Sequence, residues 1–303
     1  MNLQPMGPAA LSVPGKTFLV GEYLALEGGP SIILTTEPRF QLKVDLRTYE
    51  GAEGFNFSPQ SPAGRLLQRF PQSVREYRFE FEDPHEGRGG LGASSAQFVL
   101  VYAWLFGLES LQDIERLLLL YRECAWKGEG TPPSGADVVA QVTGGVTWFD
   151  GLRFEACDWR WPFSDLGFSL LRTGSKLATH EHLQRVTSGA AVPAEALRTQ
   201  VAAAGRAFGN SDERALVEAV ANVGLILEEA GLCTSHTRQI LDELRRQCDW
   251  SLAAKGCGAM GADVILVLHE KAKAPQVAEW GRARGLEGCG TDRDLATGIR
   301  VEG

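Results

Sequence analysis

The period of the hydrophobic pattern changes at Gly92, and this change constrains the fold more than any other feature of the chain. Over residues 40–47 apolar side chains (Phe40, Leu42, Val44, Leu46) alternate strictly with polar ones, the period of a strand with one buried face. Residues 77–82 repeat the alternation. Residues 16–20 and 31–35 read as short apolar strands joined through Gly28, Gly29 and Pro30, residues that punctuate turns. After Gly92 the spacing becomes helical: residues 96–106 are an apolar run without Gly or Pro, and residues 111–126 carry apolar side chains at helical intervals. Pro132, Pro133 and Gly135 break the chain, residues 138–142 resume a helix, and Gly144-Gly145 turns it into a strand-like stretch at 146–149. The second half reads as a strand at 167–171, helices near 194–208, 212–230 and 235–249, a glycine-rich loop, a strand at 263–268, a helix near 275–284 and a last short strand. The expectation is an α+β protein of two units, residues 1–160 and 161–303, with residues 50–69 as a surface loop or lid.

Composition narrows the functional classes. With 303 residues, 44% hydrophobic and 22% charged, the chain has the make-up of a globular protein. A net charge of -8 argues against nucleic acid as a partner, because phosphate-backbone binding needs clustered Lys and Arg. An anionic substrate would need a local cationic pocket. The six cysteines include no C-x-x-C pair, which suits free thiols in a reducing compartment. Cys233 and His236 have no second pair at ligand spacing, so zinc is not expected. The segment from Met1 to Lys16 has no basic-then-apolar leader pattern, and no window is apolar enough to span a bilayer. A cytoplasmic protein, monomer or homodimer, without membrane partners is expected.

Three segments carry chemistry. Gly89-Gly90-Leu91-Gly92-Ala93-Ser94-Ser95-Ala96 lies between a strand and the long apolar helix, so its backbone N–H groups and the helix N-terminus can converge on an anion. Glycines let the backbone approach a polyphosphate, and serine hydroxyls can bind phosphate or ligate Mg²⁺. The alternative is a plain strand-to-helix turn capped by Ser94 or Ser95. No Gly-Lys-Ser/Thr closes the loop, so it is not a Walker P-loop. A second loop, Gly256-Cys257-Gly258-Ala259-Met260-Gly261-Ala262-Asp263, follows Lys255 and leads into a strand; it is either a ligand-facing loop or an ordinary connection. The third segment, Pro14-Gly15-Lys16 with Gly21-Glu22-Tyr23, opens a buried strand with a lysine. Asp137, at the start of a helix in Ser134-Gly135-Ala136-Asp137, is its natural partner. Such a carboxylate can accept a hydroxyl proton while Lys16 stabilises charge that develops in phosphoryl transfer.

In this order the segments resemble the motifs of the GHMP kinases, the superfamily of galactokinase, homoserine kinase, mevalonate kinase and phosphomevalonate kinase. Residues 14–23 resemble the first family motif, 90–96 the nucleotide loop, 134–137 the segment of the catalytic aspartate, and 258–263 the Gly-Ala-Gly-Gly motif. The resemblance spans residues 14–268. It implies an N-terminal domain like ribosomal S5 domain 2 joined to a ferredoxin-like C-terminal domain, with ATP and Mg²⁺ as cofactors. It also implies catalysis by Asp137 and Lys16, nucleotide contacts from Gly90, Leu91, Gly92, Ala93, Ser94 and Ser95, and Ser94 as metal ligand. Acceptor contacts would fall to Glu22, Tyr23, Ser134, Gly135, Lys176, Gly258, Ala259, Gly261 and Asp263. Gly21-Glu22-Tyr23, residues 137–140, residues 172–179 and Asp263 lean towards phosphomevalonate kinase. A phosphorylated acceptor would need cations, and Lys16, Arg172, Lys176 and Lys255 are the candidates by position. His180 and His182 are expected to face solvent.

The sequence also departs from the family. Ala93 stands where the first loop serine is usual, Met260 and Ala262 replace glycines, and Trp126 occupies the position of a Mg²⁺-binding glutamate in mevalonate kinases, with Glu123 and Glu129 nearby. Trp126 weakens a mevalonate kinase assignment specifically, and Ala93, Trp126 and Met260 favour a catalytically silent metabolite-binding regulator; a mevalonate kinase and a diphosphomevalonate decarboxylase are the enzymatic rivals.

Overall fold

The computed structural model describes residues 3–47, 54–174, 192–258 and 264–302. β1 (Ala9–Val20) and β2 (Pro30–Leu46) form a long antiparallel hairpin. β2 also pairs β3 (Tyr77–Glu82) at one end and β4 (Val146–Asp150) at the other. With β5 (Glu155–Trp159) and β10 (Arg300–Val301) they make a six-stranded sheet of order β10-β1-β2-β4-β5, β3 lying off that path on β2. The two strands expected at 31–35 and 40–47 are thus one strand. Pro14 pairs Arg39 and Gly15 pairs Thr36, so Glu37 and Pro38 are the extra residues of a bulge, a place where the missing proline N–H costs the ladder nothing.

α1 (Pro62–Gln68) and α2 (Pro71–Val74) follow β2, then α3 (Ala93–Phe106), α4 (Ile114–Ala125) and α5 (Ala136–Thr143). The expected loop at 50–69 is therefore corrected over its second part. Ser61 caps α1 by accepting from the Gly64 N–H, Pro62 starts it, and Ala63, Leu66 and Leu67 are buried. Residues 50–53 of that stretch lie outside the described residues. α3 buries Phe98, Tyr102 and Trp104 completely, each stabilising the fold by roughly 1.5–3 kcal/mol. It is apolar around its circumference, as a helix inside a core must be.

A second, antiparallel sheet has the order β7-β8-β6-β9, from β7 (Ala253–Cys257), β8 (Val264–Glu270), β6 (Leu166–Arg172) and β9 (Glu287–Thr291). Its helices are α6 (Ala194–Asn210), α7 (Glu213–Glu229), α8 (Ser235–Gln247) and α9 (Ala274–Arg282). The chain passes from the first sheet to the second between β5 and β6, and it returns. Leu295 and Thr297 bridge Thr36 and Gly144, and β10 pairs β1. The buried Arg39 side chain donates to the carbonyls of Thr297 (2.9 Å) and Gly298 (2.6 Å). The last residues therefore belong to the first sheet, whereas a division at residue 160 assigns them to the second unit.

β1 lies between the units. α3 and α5 contact it from the first, and α6, α7 and β7 from the second. Burial on both faces erases the alternating pattern that an open sheet shows, which is why residues 16–20 read simply as apolar. Among the described residues no helix is long and apolar enough to cross a membrane. All six cysteines are free.

Candidate active site

The glycine loop is built against β1. The Lys16 N–H donates to the Leu91 carbonyl at 3.0 Å, and the Lys16 side chain runs beside Gly92. A β-carbon on Gly92 would stand 2.9 Å from Lys16 Cγ and 3.0 Å from Cε. Gly92 adopts φ 88° as the residue before α3, a conformation that costs other residues strain. α3 has no side-chain cap, so the N–H groups of its first turn are left for an anion. The two serines diverge. Ser95 is buried and its hydroxyl donates to the Gly92 carbonyl at 2.9 Å, which holds the turn. Ser94 is exposed, and its hydroxyl makes no hydrogen bond among the described residues.

α5 brings the carboxylate. Gly135 precedes it at φ 77°, with Leu118 Cδ2 2.2 Å from where a β-carbon would sit; only glycine fits both the conformation and the contact with α4. Gly135 has no side chain to cap this helix, and the Ser134 hydroxyl accepts from the Ala136 N–H at 3.3 Å instead. Arg122 holds the approach, donating from Nε to the Pro133 carbonyl (3.3 Å) and from Nη2 to the Ser134 carbonyl (3.2 Å). Asp137 is half-buried, and its Oδ1 accepts from the Val138 N–H at 3.0 Å. Burial, and secondarily the Asp137 charge, push the Tyr121 phenol well above its ordinary range, so Tyr121 stays protonated beside the acid. Gln141, one turn further along α5, donates to the carbonyls of Pro14 (3.0 Å) and Gly92 (3.2 Å). The strand of Lys16, the glycine loop and the helix of Asp137 therefore meet at one amide.

Lys16 and Asp137 do not form the expected ion pair. Among the described residues no carboxylate lies within ion-pair distance of the Lys16 ammonium, which sits 5.3 Å from the centroid of the Phe18 ring. Gly92 draws the lysine stem along the loop, which leaves the ammonium near the uncapped α3 N-terminus.

Two of the four cations named for a phosphorylated acceptor, Lys255 and Arg172, have internal partners. Lys255 is fully buried and paired with Glu22 at 2.5 Å. Arg172 is buried and donates to the Gly89 carbonyl at 3.0 Å; it holds the back of the glycine loop. Tyr23 is 3% exposed and packs in the core. Gly90 (φ 84°) and Gly258 (φ 86°) take left-handed conformations that their loops require. Lys176, His180, His182, Ala259, Met260, Gly261, Ala262 and Asp263 lie outside the described residues.

Sequence reading missed Arg122, Gln141 and the role of Arg172. A glutamine on the Asp137 face of α5, one turn on, was the available signal for Gln141; nothing local marks an arginine that binds carbonyls eleven and twelve residues away. The two glutamates near Trp126 are both exposed. Glu123 pairs with Arg69 at the surface, and the Glu129 carbonyl accepts from the Trp126 indole. A cavity of about 300 Å³ lies elsewhere, beside α4, α5 and the C-terminal tail, lined by Leu111, Ile114, Leu117, Val139, Val142 and Ile299. It carries no cluster of convergent charged groups.

The sequence matches no protein-family profile and no curated protein. In structure the chain is similar to several solved proteins over nearly its whole length. A Lin0012 protein from Listeria innocua superposes with a TM-score of 0.73 at 17% identity, covering 97% of this chain and 99% of that one. Mevalonate kinase of L. major, in complex with R-mevalonate, gives 0.70 at 15% identity over 98% and 99%. Phosphomevalonate kinase of Streptococcus pneumoniae, with phosphomevalonate and AMPPNP, gives 0.69 at 17% identity over 97% and 99%. The chain has the α+β fold of the GHMP kinases. Within that fold, the structures it resembles include kinases of the mevalonate pathway.

Proposed function

We propose that this chain transfers the γ-phosphoryl group of ATP to a small acceptor of the mevalonate pathway, most closely 5-phosphomevalonate. One observation carries the reading: Gln141 joins the Lys16 strand, the uncapped glycine-loop helix and the Asp137 helix at a single point. Phosphoryl transfer needs little covalent help from a protein; it needs positioning and stabilisation of charge spread over phosphate oxygens. The α3 N-terminus with Ser94 cradles the polyphosphate, and the Lys16 ammonium meets the charge that develops on the transferred group. Asp137 orients the acceptor and, where the acceptor is a hydroxyl, takes its proton. A phosphate acceptor is already anionic and needs no base.

Mg²⁺ fits this arrangement. It is commonly held by one or two protein groups together with substrate phosphates and water, and Ser94, with its open hydroxyl, is the group that would hold it. When bound it neutralises charge on the nucleotide phosphates. That no three acidic, His or Cys side chains cluster among the described residues is compatible with such a site.

A mevalonate kinase reading is supported by the commitment of Lys255 and Arg172 to internal partners, which leaves fewer cations for an acceptor phosphate. Coupled ADP release with Mg-ATP and mevalonate, 5-phosphomevalonate, 5-diphosphomevalonate, galactose or homoserine decides between them. Turnover with 5-phosphomevalonate alone is expected, and turnover with mevalonate alone replaces it by the second reading. Release of CO₂ with 5-diphosphomevalonate would identify a decarboxylase. Silence with all five acceptors, with ATP still raising the melting temperature, would overturn the proposed activity in favour of a regulator.

A further inference from the structure

Lys255 enters the protein interior from β7 with all three ammonium protons engaged. It donates to Glu22 Oε1 at 2.5 Å, to the Gly256 carbonyl at 3.2 Å and to Cys257 Sγ at 3.3 Å. Cys257 in turn donates to the Phe18 carbonyl of β1 at 3.4 Å. Burial alone would lower the Lys255 ammonium, and the Cys257 and Glu22 contacts outweigh it and leave it raised. The Cys257 thiol is itself pushed up by burial and stays neutral, so the charge that keeps Lys255 protonated is that of Glu22. The lysine side chain is 0% exposed and the glutamate side chain 8%. Other ion pairs among the described residues leave at least one partner more open, as in Arg39–Glu37 and Arg172–Glu287.

Among the described residues no other group donates to the Glu22 carboxylate. Its Oε2 is buried without a hydrogen-bond partner, so one lysine alone sets the direction of this carboxylate. The two partners come from different sheets: Glu22 follows Gly21 at the end of β1, and Lys255 precedes the Gly258 turn. Buried ion pairs are weak stabilisers compared with apolar side chains of the same volume, and stability is thus a poor reason for this one.

We propose that Lys255 is a positioning residue that orients Glu22 towards the acceptor, so that the acceptor subsite depends on the seam between the two sheets. The nucleotide cradle does not depend on that seam in the same way, because Lys16, Gly92, Gln141 and α3 all belong to the first unit. The assignment of Glu22 to the acceptor rests on the kinase reading above; the mechanical coupling of Lys255 to the Gly21–Glu22 turn does not.

Two measurements on the full chain separate these. The first is hydrogen exchange at the turn, where the Ala25 N–H donates to the Gly21 carbonyl at 2.9 Å. Lys255→Met is expected to speed exchange there at least tenfold and to leave the first turn of α3 unchanged. Unchanged protection at the turn overturns the coupling whether or not the protein is a kinase. The second is steady-state kinetics with the acceptor that the wild type uses. Lys255→Met and Glu22→Gln are each expected to raise the acceptor KM about tenfold or more with the ATP KM within twofold, and the double variant to be no worse than either single one. Recovery of both melting temperature and acceptor KM in the double variant would show a purely structural pair and overturn the proposal. Should Lys255→Met not fold, Glu22→Gln, which keeps the lysine, is read in both assays against the same thresholds. A wild type that turns over no acceptor sinks the kinase reading, and the exchange experiment still decides the coupling.

Discussion

Gln141 donates from one amide nitrogen to the carbonyls of Pro14 and Gly92, so a side chain on the helix of Asp137 fixes the strand that carries Lys16 and the loop that opens α3. Replacing it by leucine keeps the volume and removes both donations. Each carbonyl then loses one donor, at a cost of about 0.5–1.5 kcal/mol per hydrogen bond, while the Gly92 carbonyl keeps the Ala96 N–H and the Ser95 hydroxyl. The expected outcome of Gln141→Leu is a lower melting temperature together with weaker ATP binding, measured by calorimetric titration of a non-hydrolysable analogue. Unchanged nucleotide affinity in a folded variant would show that the loop does not need this tie.

Gly92 meets two constraints at once. Its φ of 88° is left-handed, and a β-carbon would press on Lys16 Cγ at 2.9 Å and Ser95 Oγ at 3.1 Å. Gly92→Ala therefore combines a backbone penalty of about 1–2 kcal/mol with displacement of the lysine stem. The variant is expected to fold and to lose at least tenfold in ATP affinity. The control is Gly174→Ala: that glycine also has positive φ (76°) but, among the described residues, nothing within 4 Å of a β-carbon, so the backbone penalty remains and the effect on ATP binding is expected to be absent.

Much of this arrangement is legible in the residues, for identifiable reasons. The Phe40–Leu46 alternation marks β2 because one face of that part of the strand is open, and the apolar run after Gly92 marks α3 because it is buried on every side. β5 was missed because its residues are mostly half-exposed or exposed; an edge strand need not show a hydrophobic period. β7 was missed because Ala253, Ala254 and Gly256 have little side chain and Lys255 looks like a surface residue until Glu22 is brought to it from 233 positions away. The same long range hides the return of the C-terminal tail, which Arg39 secures through backbone carbonyls. The glycine loop and the aspartate were readable as local motifs. Their partners were not, because Gln141 and Arg172 act on carbonyls that carry no side-chain signature.

Asp137 has no ion-pair partner among the described residues and sits in the first turn of α5. Asp137→Asn preserves shape and the acceptor oxygen for the Val138 N–H while removing the charge. With a hydroxyl acceptor, loss of the base is expected to lower kcat by roughly 10²–10⁴-fold. With a phosphate acceptor the fall should be smaller, since no proton has to be removed. In both cases the melting temperature and the ATP KM should stay close to wild type. An Asn variant with wild-type kcat would remove Asp137 from the chemistry.

His85 gives the fold a pH dependence whose sign can be worked out. The ring is 6% exposed, lies edge-on to Phe40 at 5.3 Å, and its Nε2 has no partner. Burial first, and the Arg172 charge second, lower it from 6.5 to about 4, against the opposing effects of Asp83 and Glu287 and with Arg88 adding to the lowering. The folded state therefore resists a proton that the unfolded chain accepts. Above pH 6.5 the ring is neutral in both states and stability is unaffected; as pH falls from 6.5 towards 4 the unfolded state gains protons and stability is lost, by an amount on the order of 3 kcal/mol. Because His85 lies under the loop that Arg172 holds through Gly89, the loss should appear first as weaker ATP binding and then as a lower melting temperature. His85→Phe keeps the aromatic contact and has nothing to titrate. Melting curves between pH 4 and 7 are expected to be steeper in pH for the wild type than for this variant. Identical pH profiles would show that acid sensitivity, if any, comes from other groups.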